Sequence, residues 1–152
     1  MYLNKPPFSY RNDNKIPDFA DAGPICVMDA QCALCARGAK WIAHNDRNAE
    51  FRIVPLQSDL GNALMTHYGM DPDDPSSWLY LVEGRGYASL DALIHVGQRL
   101  GRIWKVLAIL RLVPSGLRDV LYRAVARNRY RWFGTADLCS LPDNEVQKRL
   151  IT

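Results

Sequence analysis

Two cysteines three positions apart, Cys32-Ala-Leu-Cys35, follow the apolar run Pro24 to Met28 and Asp29, and they open the helix-forming stretch Ala36 to His44. Side chains at i and i+3 share a helix face, so two thiols placed this way come within bridging distance with little backbone movement. The chemistry this allows is a reversible disulfide. A helix N-terminus also favours a thiolate, through its unbonded amides and the positive end of its dipole. Cys32, at the exposed helix start, is therefore the expected nucleophile, and Cys35, one turn in and shielded, the expected resolving thiol. Asp29 stands either as proton acceptor or as cap of the turn before the helix; both readings remain open.

The same spacing also occurs as half of a zinc site. Zinc takes four ligands, and the sequence offers no second pair of this kind. Cys26, Cys139, His44, His67 and His95 would have to converge from scattered elements, so spacing favours redox chemistry over a small structural zinc domain. No metal or prosthetic group is expected, only the Cys32/Cys35 couple and an external electron donor. Cys26 sits in an apolar strand and reads as a core residue. Cys139, in a polar tail, reads as a surface thiol, a packed residue or a third redox partner. The three histidines read as surface or packing residues.

Positioning these thiols falls to elements that can be read from periodicity. Ile25 to Met28 is a strand buried on both faces, and the helix Ala33 to His44 follows it. Phe51 to Val54 is a second strand, Asp59 to Tyr68 a helix stopped by Gly69, and Met70 to Ser77 a loop. Trp78 to Val82 and Tyr87-Ala88, joined by Glu83 to Gly86, form a hairpin, after which Ser89 caps a helix carrying Leu90, Leu93, Ile94, Gly97 and Leu100. The order β-α-β-α-β-β-α is that of a thioredoxin-like α/β core, with the cysteine pair at the C-terminal end of the first strand. Two further helices, about Arg102 to Val113 and Ser115 to Trp132, form a C-terminal extension in which Trp104, Leu107, Leu110, Leu121 and Val125 are expected to be buried. Residues 1–23 read as an irregular arm, and 24–152 as one domain that includes the extension.

At 152 residues and 48% hydrophobic content the chain can bury one substantial core. Four cysteines with a single tight spacing are not a secreted disulfide framework, and a reducing cytoplasm fits better. The N-terminus lacks the apolar core of a signal peptide, and the most apolar window, Leu100 to Val113, is broken by Arg102, Lys105 and Arg111. Of 19 Lys/Arg and 16 Asp/Glu, nine bases and one acid lie between Arg99 and Phe133. That makes the C-terminal part the one place for an anionic partner, and a nucleic-acid or anionic-surface binding module with redox-sensing thiols is the rival reading. Because Arg127, Arg129 and Arg131 fall on different helix faces, the sequence does not favour nucleic acid.

Asp29, Cys32 and Cys35 together resemble the Asp-x-x-Cys-x-x-Cys signature of the DCC-type thiol-disulfide oxidoreductases, a thioredoxin-like family. The likeness continues through Val54 to Ser58, Ser89 with Asp91-Ala92, Tyr122-Arg123, the block Ala126-Arg127-Asn128-Arg129-Tyr130, Phe133-Gly134 and Cys139, and spans about residues 24–150. The resemblance implies protein-disulfide reductase or related exchange activity on a protein or small-molecule disulfide. Three departures from thioredoxin itself stand out. The intervening pair is Ala33-Leu34, the place of thioredoxin's buried acid is taken by Cys26, and the place of its cis-proline lies near Ser76-Ser77, with Pro75 offset by about one residue.

Overall fold

The computed structural model describes residues 5–19, 23–70, 78–137 and 143–151. The reading of Met70 to Ser77 as a loop, the thioredoxin-proline position at Pro75 to Ser77 and the roles weighed for Cys139 all fall on or mostly on residues outside these.

Four strands form one mixed sheet in the order β2-β1-β3-β4, from β1 (Ile25–Met28), β2 (Arg52–Pro55), β3 (Leu79–Val82) and β4 (Arg85–Ala88). The β1–β2 pair is parallel, bridged by helix α1 (Ala33–Asn45), whereas β1–β3 and β3–β4 are antiparallel. A right-handed crossover joins parallel neighbours and a tight turn joins antiparallel ones, which is why a β-α-β unit and a hairpin can share this sheet. Helices α2 (Asp59–His67) and α3 (Ser89–Leu100) complete the thioredoxin-like core. Ser58 caps α2, its hydroxyl accepting from Gly61 N at 3.1 Å. For α3 the helix begins at Ser89 itself, and Ala88 holds the N-cap position.

β1 is buried along its whole length, as its unbroken apolar run requires. One face of the sheet packs Ile25, Val27, Val54, Leu79 and Leu81 against Leu60, Leu64 and Met65 of α2, and the other packs Cys26, Met28, Ile53 and Tyr80 against Ala39, Ile42 and Ala92. Within the N-terminal arm, Ser9–Asn12 form a 3₁₀ turn, Tyr10 is buried, and Phe8, Ile16 and Phe19 pack on the first of these clusters.

The C-terminal part differs from expectation in three ways. Residues Arg102–Leu112 form a 3₁₀ helix, long for that type, rather than an α-helix. It lies close on α3 at Gly97, where a Cβ would come within 2.6 Å of both Leu107 Cδ1 and Trp104 O. Second, Trp104, Leu107 and Leu110 are half-buried, but Leu121 and Val125 of α4 (Ser115–Phe133) are 52% and 38% exposed instead of buried. The physical reason is that they border an open cavity between α1, α3 and α4 rather than closing it. Third, a short helix, α5 (Asn144–Gln147), is capped by Asp143 Oδ1, which accepts from Glu145 N and Val146 N. Beyond it the chain runs beside β2, with Ile53 N donating to Arg149 O and Ile151 N to Ile53 O, each at 2.8 Å. Arg149 is thereby buried and pairs with the equally buried Asp46 at 2.9 Å.

Candidate active site

β1 ends at Met28, and the next seven residues build the site. Leu56 N donates to Met28 O at 2.7 Å, so the loop after β2 is laced to the end of β1. Gln57 continues the lacing: its Oε1 accepts from Ala30 N at 3.0 Å and its Nε2 donates to Asp29 Oδ1 at 2.7 Å. The same Oδ1 accepts from Gln31 N at 2.9 Å, an Asx turn that reverses the chain into α1. Asp29 Oδ2 accepts from the Tyr130 hydroxyl on the last turns of α4. Asp29 is buried, with a donor on each oxygen. Asp29 is thus a hub joining the turn, the β2 loop and α4.

Cys32 occupies the N-cap of α1 in an extended conformation, and Cys35 lies one turn on. The two cysteines approach to 3.9 Å, with no disulfide between them. Their exposure is the reverse of the sequence expectation: Cys32 is fully buried and Cys35 is half-exposed. The strap that follows α4 runs against Cys32. Gly134 terminates the helix at φ 79°, its N–H returning to Tyr130 O, and turns the chain back across the site. There Thr135 forms an antiparallel bridge with Cys32, Ala33 N donates to Gly134 O at 3.3 Å, and Ala136 N donates to Gln31 O at 3.1 Å. Arg37 of α1 stacks over the Phe133 ring at 5.7 Å. Sequence reasoning missed this strap because Phe133-Gly134 carries a helix-stop signal but nothing that says where the chain goes next.

The remaining candidates take other places. Cys26 is fully buried in β1, and burial, with the Asp46 carboxylate nearby, pushes its thiol pKa far up, which makes it a poor nucleophile. His44 meets Asp143 at 2.7 Å, His67 meets Asp13 at 2.9 Å and Ser9 Oγ at 2.8 Å, and His95 stacks on Tyr87 with ring centroids 3.9 Å apart. Trp104 packs edge-on against Trp41 and donates to Asn45 Oδ1 at 2.9 Å, as a packing residue does. Among the described residues, no three His, Cys, Asp or Glu side chains gather as metal ligands, and no helix is long and apolar enough to cross a membrane. In the basic segment Arg99 pairs with Glu50 and Arg118 with Asp91, while Lys105, Arg123, Arg127 and Arg131 are exposed.

The family model of the DCC1-like thiol-disulfide oxidoreductases matches residues 26–135, a stretch that runs from β1 through the cysteine pair to the strap. The chain belongs to this family. It is 30% identical over 127 residues to the uncharacterised protein YuxK of Bacillus subtilis, covering 84% of this chain and 93% of that one. To a chloroplastic DCC family protein of Arabidopsis thaliana it is 37% identical over 122 residues, 80% of this chain and 71% of the relative. No solved structure matches the chain significantly. The matched range includes Tyr130, Gly134 and Thr135, so the α4 end and the start of its strap fall inside the family match along with the thiols.

Proposed function

We propose that the chain is a dithiol oxidoreductase of the protein-disulfide reductase type, with Cys32 and Cys35 as its redox couple. The observation that carries this reading is the approach of the two cysteines to 3.9 Å at the first turn of α1. Cys32, as the thiolate, attacks one sulfur of a substrate disulfide. A mixed disulfide forms, and the departing thiolate takes a proton from water. Cys35 then gives up its proton and attacks the Cys32 sulfur, releasing the second substrate thiol and leaving the Cys32–Cys35 disulfide. Two electrons pass to the substrate, and an external dithiol or equivalent donor restores the enzyme. No prosthetic group enters this scheme, and a reducing compartment suits it.

Because Cys32 lies beneath Gly134 to Ala136, attack requires the strap to lift. Among the described residues, two backbone hydrogen bonds and the Tyr130–Asp29 bond help to hold it closed, and such local contacts can open without global unfolding. Asp29 acts here as a positioning residue, fixing both the turn that carries Cys32 and the end of α4. The test is trapping. Cys35→Ser should accumulate a mixed disulfide with substrate, since attack proceeds and resolution fails, whereas Cys32→Ser should trap nothing. Equal trapping by the two variants would reverse or abolish the assigned order; no trapping, together with no disulfide reduction by the wild-type chain, would remove the oxidoreductase reading.

A further inference from the structure

A cavity of about 330 Å³ opens between α1, α3 and α4, and Cys35 stands in its wall. Leu34, Trp78, Leu90, Leu93, Leu121 and Val125 supply much of the rest, and among the described residues no charged side chain lines it. An apolar cavity of about 150 Å³ accommodates a benzene-sized molecule, so this one has room for a larger group. The half-exposed thiol of the pair therefore faces a chamber that would strip water from a charged group and return no ion pair. On α4 the apolar lining continues beyond the chamber. Leu117, Leu121 and Val125 follow one another at four-residue intervals, on one ridge of the helix, and are 50%, 52% and 38% exposed. From Val125 to Leu117 that ridge runs about 12 Å, the span of roughly four residues of extended chain.

Building on the redox reading above, we infer that the cavity is a substrate subsite for a polypeptide disulfide, taking an aromatic or branched aliphatic side chain next to the substrate cysteine. Seating that side chain against Leu93 and Leu121 brings the adjoining sulfur beside Cys35, which lies 3.9 Å from Cys32, so that the two can meet once the strap lifts. The neighbouring residues of the substrate then lie along the exposed ridge of α4, a surface longer than a small disulfide would cover. Leu121 and Val125, open to water in the free protein, become buried in the complex. Charged disulfides and cysteines flanked by polar residues gain nothing from the chamber. Exchange itself balances as before, two enzyme thiols giving two electrons to one substrate disulfide.

The experiment compares the fully reduced chain on two uncharged peptide disulfides of equal length, one with Phe and Leu beside the cysteine and one with Ser and Asn. A simple aryl disulfide serves as third substrate. The expected result is a kcat/KM about tenfold to a hundredfold higher for the apolar peptide, the scale set by withdrawing one Leu- or Phe-sized side chain from water. That ratio should shrink in Leu121→Gln and, at nearly constant volume, in Val125→Thr. Equal rates on the two peptides, or a preference that both variants leave intact, would overturn the subsite while leaving the redox couple standing. A preference for the aryl disulfide with none between the peptides would replace the polypeptide by a small apolar disulfide. Failure to reduce any of the three would instead strike the redox reading on which the subsite rests.

Discussion

Replacing Tyr130 with Phe should raise the reactivity of Cys32 without touching either thiol. The Tyr130 hydroxyl donates to Asp29 Oδ2 and pins the end of α4 directly ahead of the strap, while Asp29 keeps Gln31 N and Gln57 Nε2 on its other oxygen. A hydrogen bond to a carboxylate contributes about 1.5–3 kcal/mol, and this one is only partly buried, so about 1.5 kcal/mol applies. If the strap must lift before Cys32 meets solvent, the open fraction rises by the full factor, about tenfold. The bonds Ala33 N to Gly134 O and Ala136 N to Gln31 O remain, so the closed state still predominates. The assay is alkylation of the fully reduced chain, with the rate at each cysteine followed by peptide mass mapping. Wild-type Cys32 should react much more slowly than Cys35; in Tyr130→Phe the Cys32 rate should rise about tenfold, while that of Cys35 stays within about twofold. Equal reaction of Cys32 and Cys35 in the wild type, or an unmoved Cys32 rate in a variant whose thermal melt shows it folded, would rule out the strap as a barrier to Cys32.

Arg149→Met should remove about 3–5 kcal/mol of stability, read as a lower urea midpoint, because Asp46 would stay buried with only its backbone donors, Glu50 N and Phe51 N. His95 should titrate below its ordinary value of 6.5, since burial and then the Arg111 charge disfavour its protonation. The folded protein thus binds that proton less readily than the unfolded chain. Its contribution to stability is complete above about pH 6.5 and declines as the pH falls toward the lower folded-state value, and an NMR titration of the ring would place the midpoint.

The sequence made the core legible because local and global signals agree there. The unbroken run Ile25 to Met28 could only be a strand covered on both faces, and the turn chemistry of Glu83 to Gly86 marks a hairpin; the sheet has both, with the turn tightened to Glu83-Gly84 because β4 pairs from Arg85 onward, whereas the cap expected at Ser89 falls one residue earlier, at Ala88. Cys32 and Cys35 were legible as a pair because three residues on a helix fix their separation. Their exposure was not, because it depends on a strap that arrives a hundred residues later and whose bonds are backbone to backbone, with no side-chain pattern to announce them. Leu121 and Val125 have the spacing of a buried stripe, and periodicity alone does not distinguish an apolar face that packs from one that borders a cavity. Arg149 and Asp46 were hidden for a related reason. Charges far apart in sequence read as solvated until the chain's end is seen to lie beside β2.

Whether Cys32 and Cys35 form a redox couple is settled by a redox titration of the full chain. The protein is equilibrated at a series of dithiol/disulfide potentials, quenched with alkylating agent, and mapped by mass. Cys32 and Cys35 should lose and regain labelling together in one two-electron transition, a tenfold change in their ratio of states for about every 30 mV. Cys26 should stay reduced throughout, buried in β1 as it is. Independent labelling of Cys32 and Cys35 at every potential, or a stable link from Cys32 to Cys26 or Cys139, would contradict such a couple.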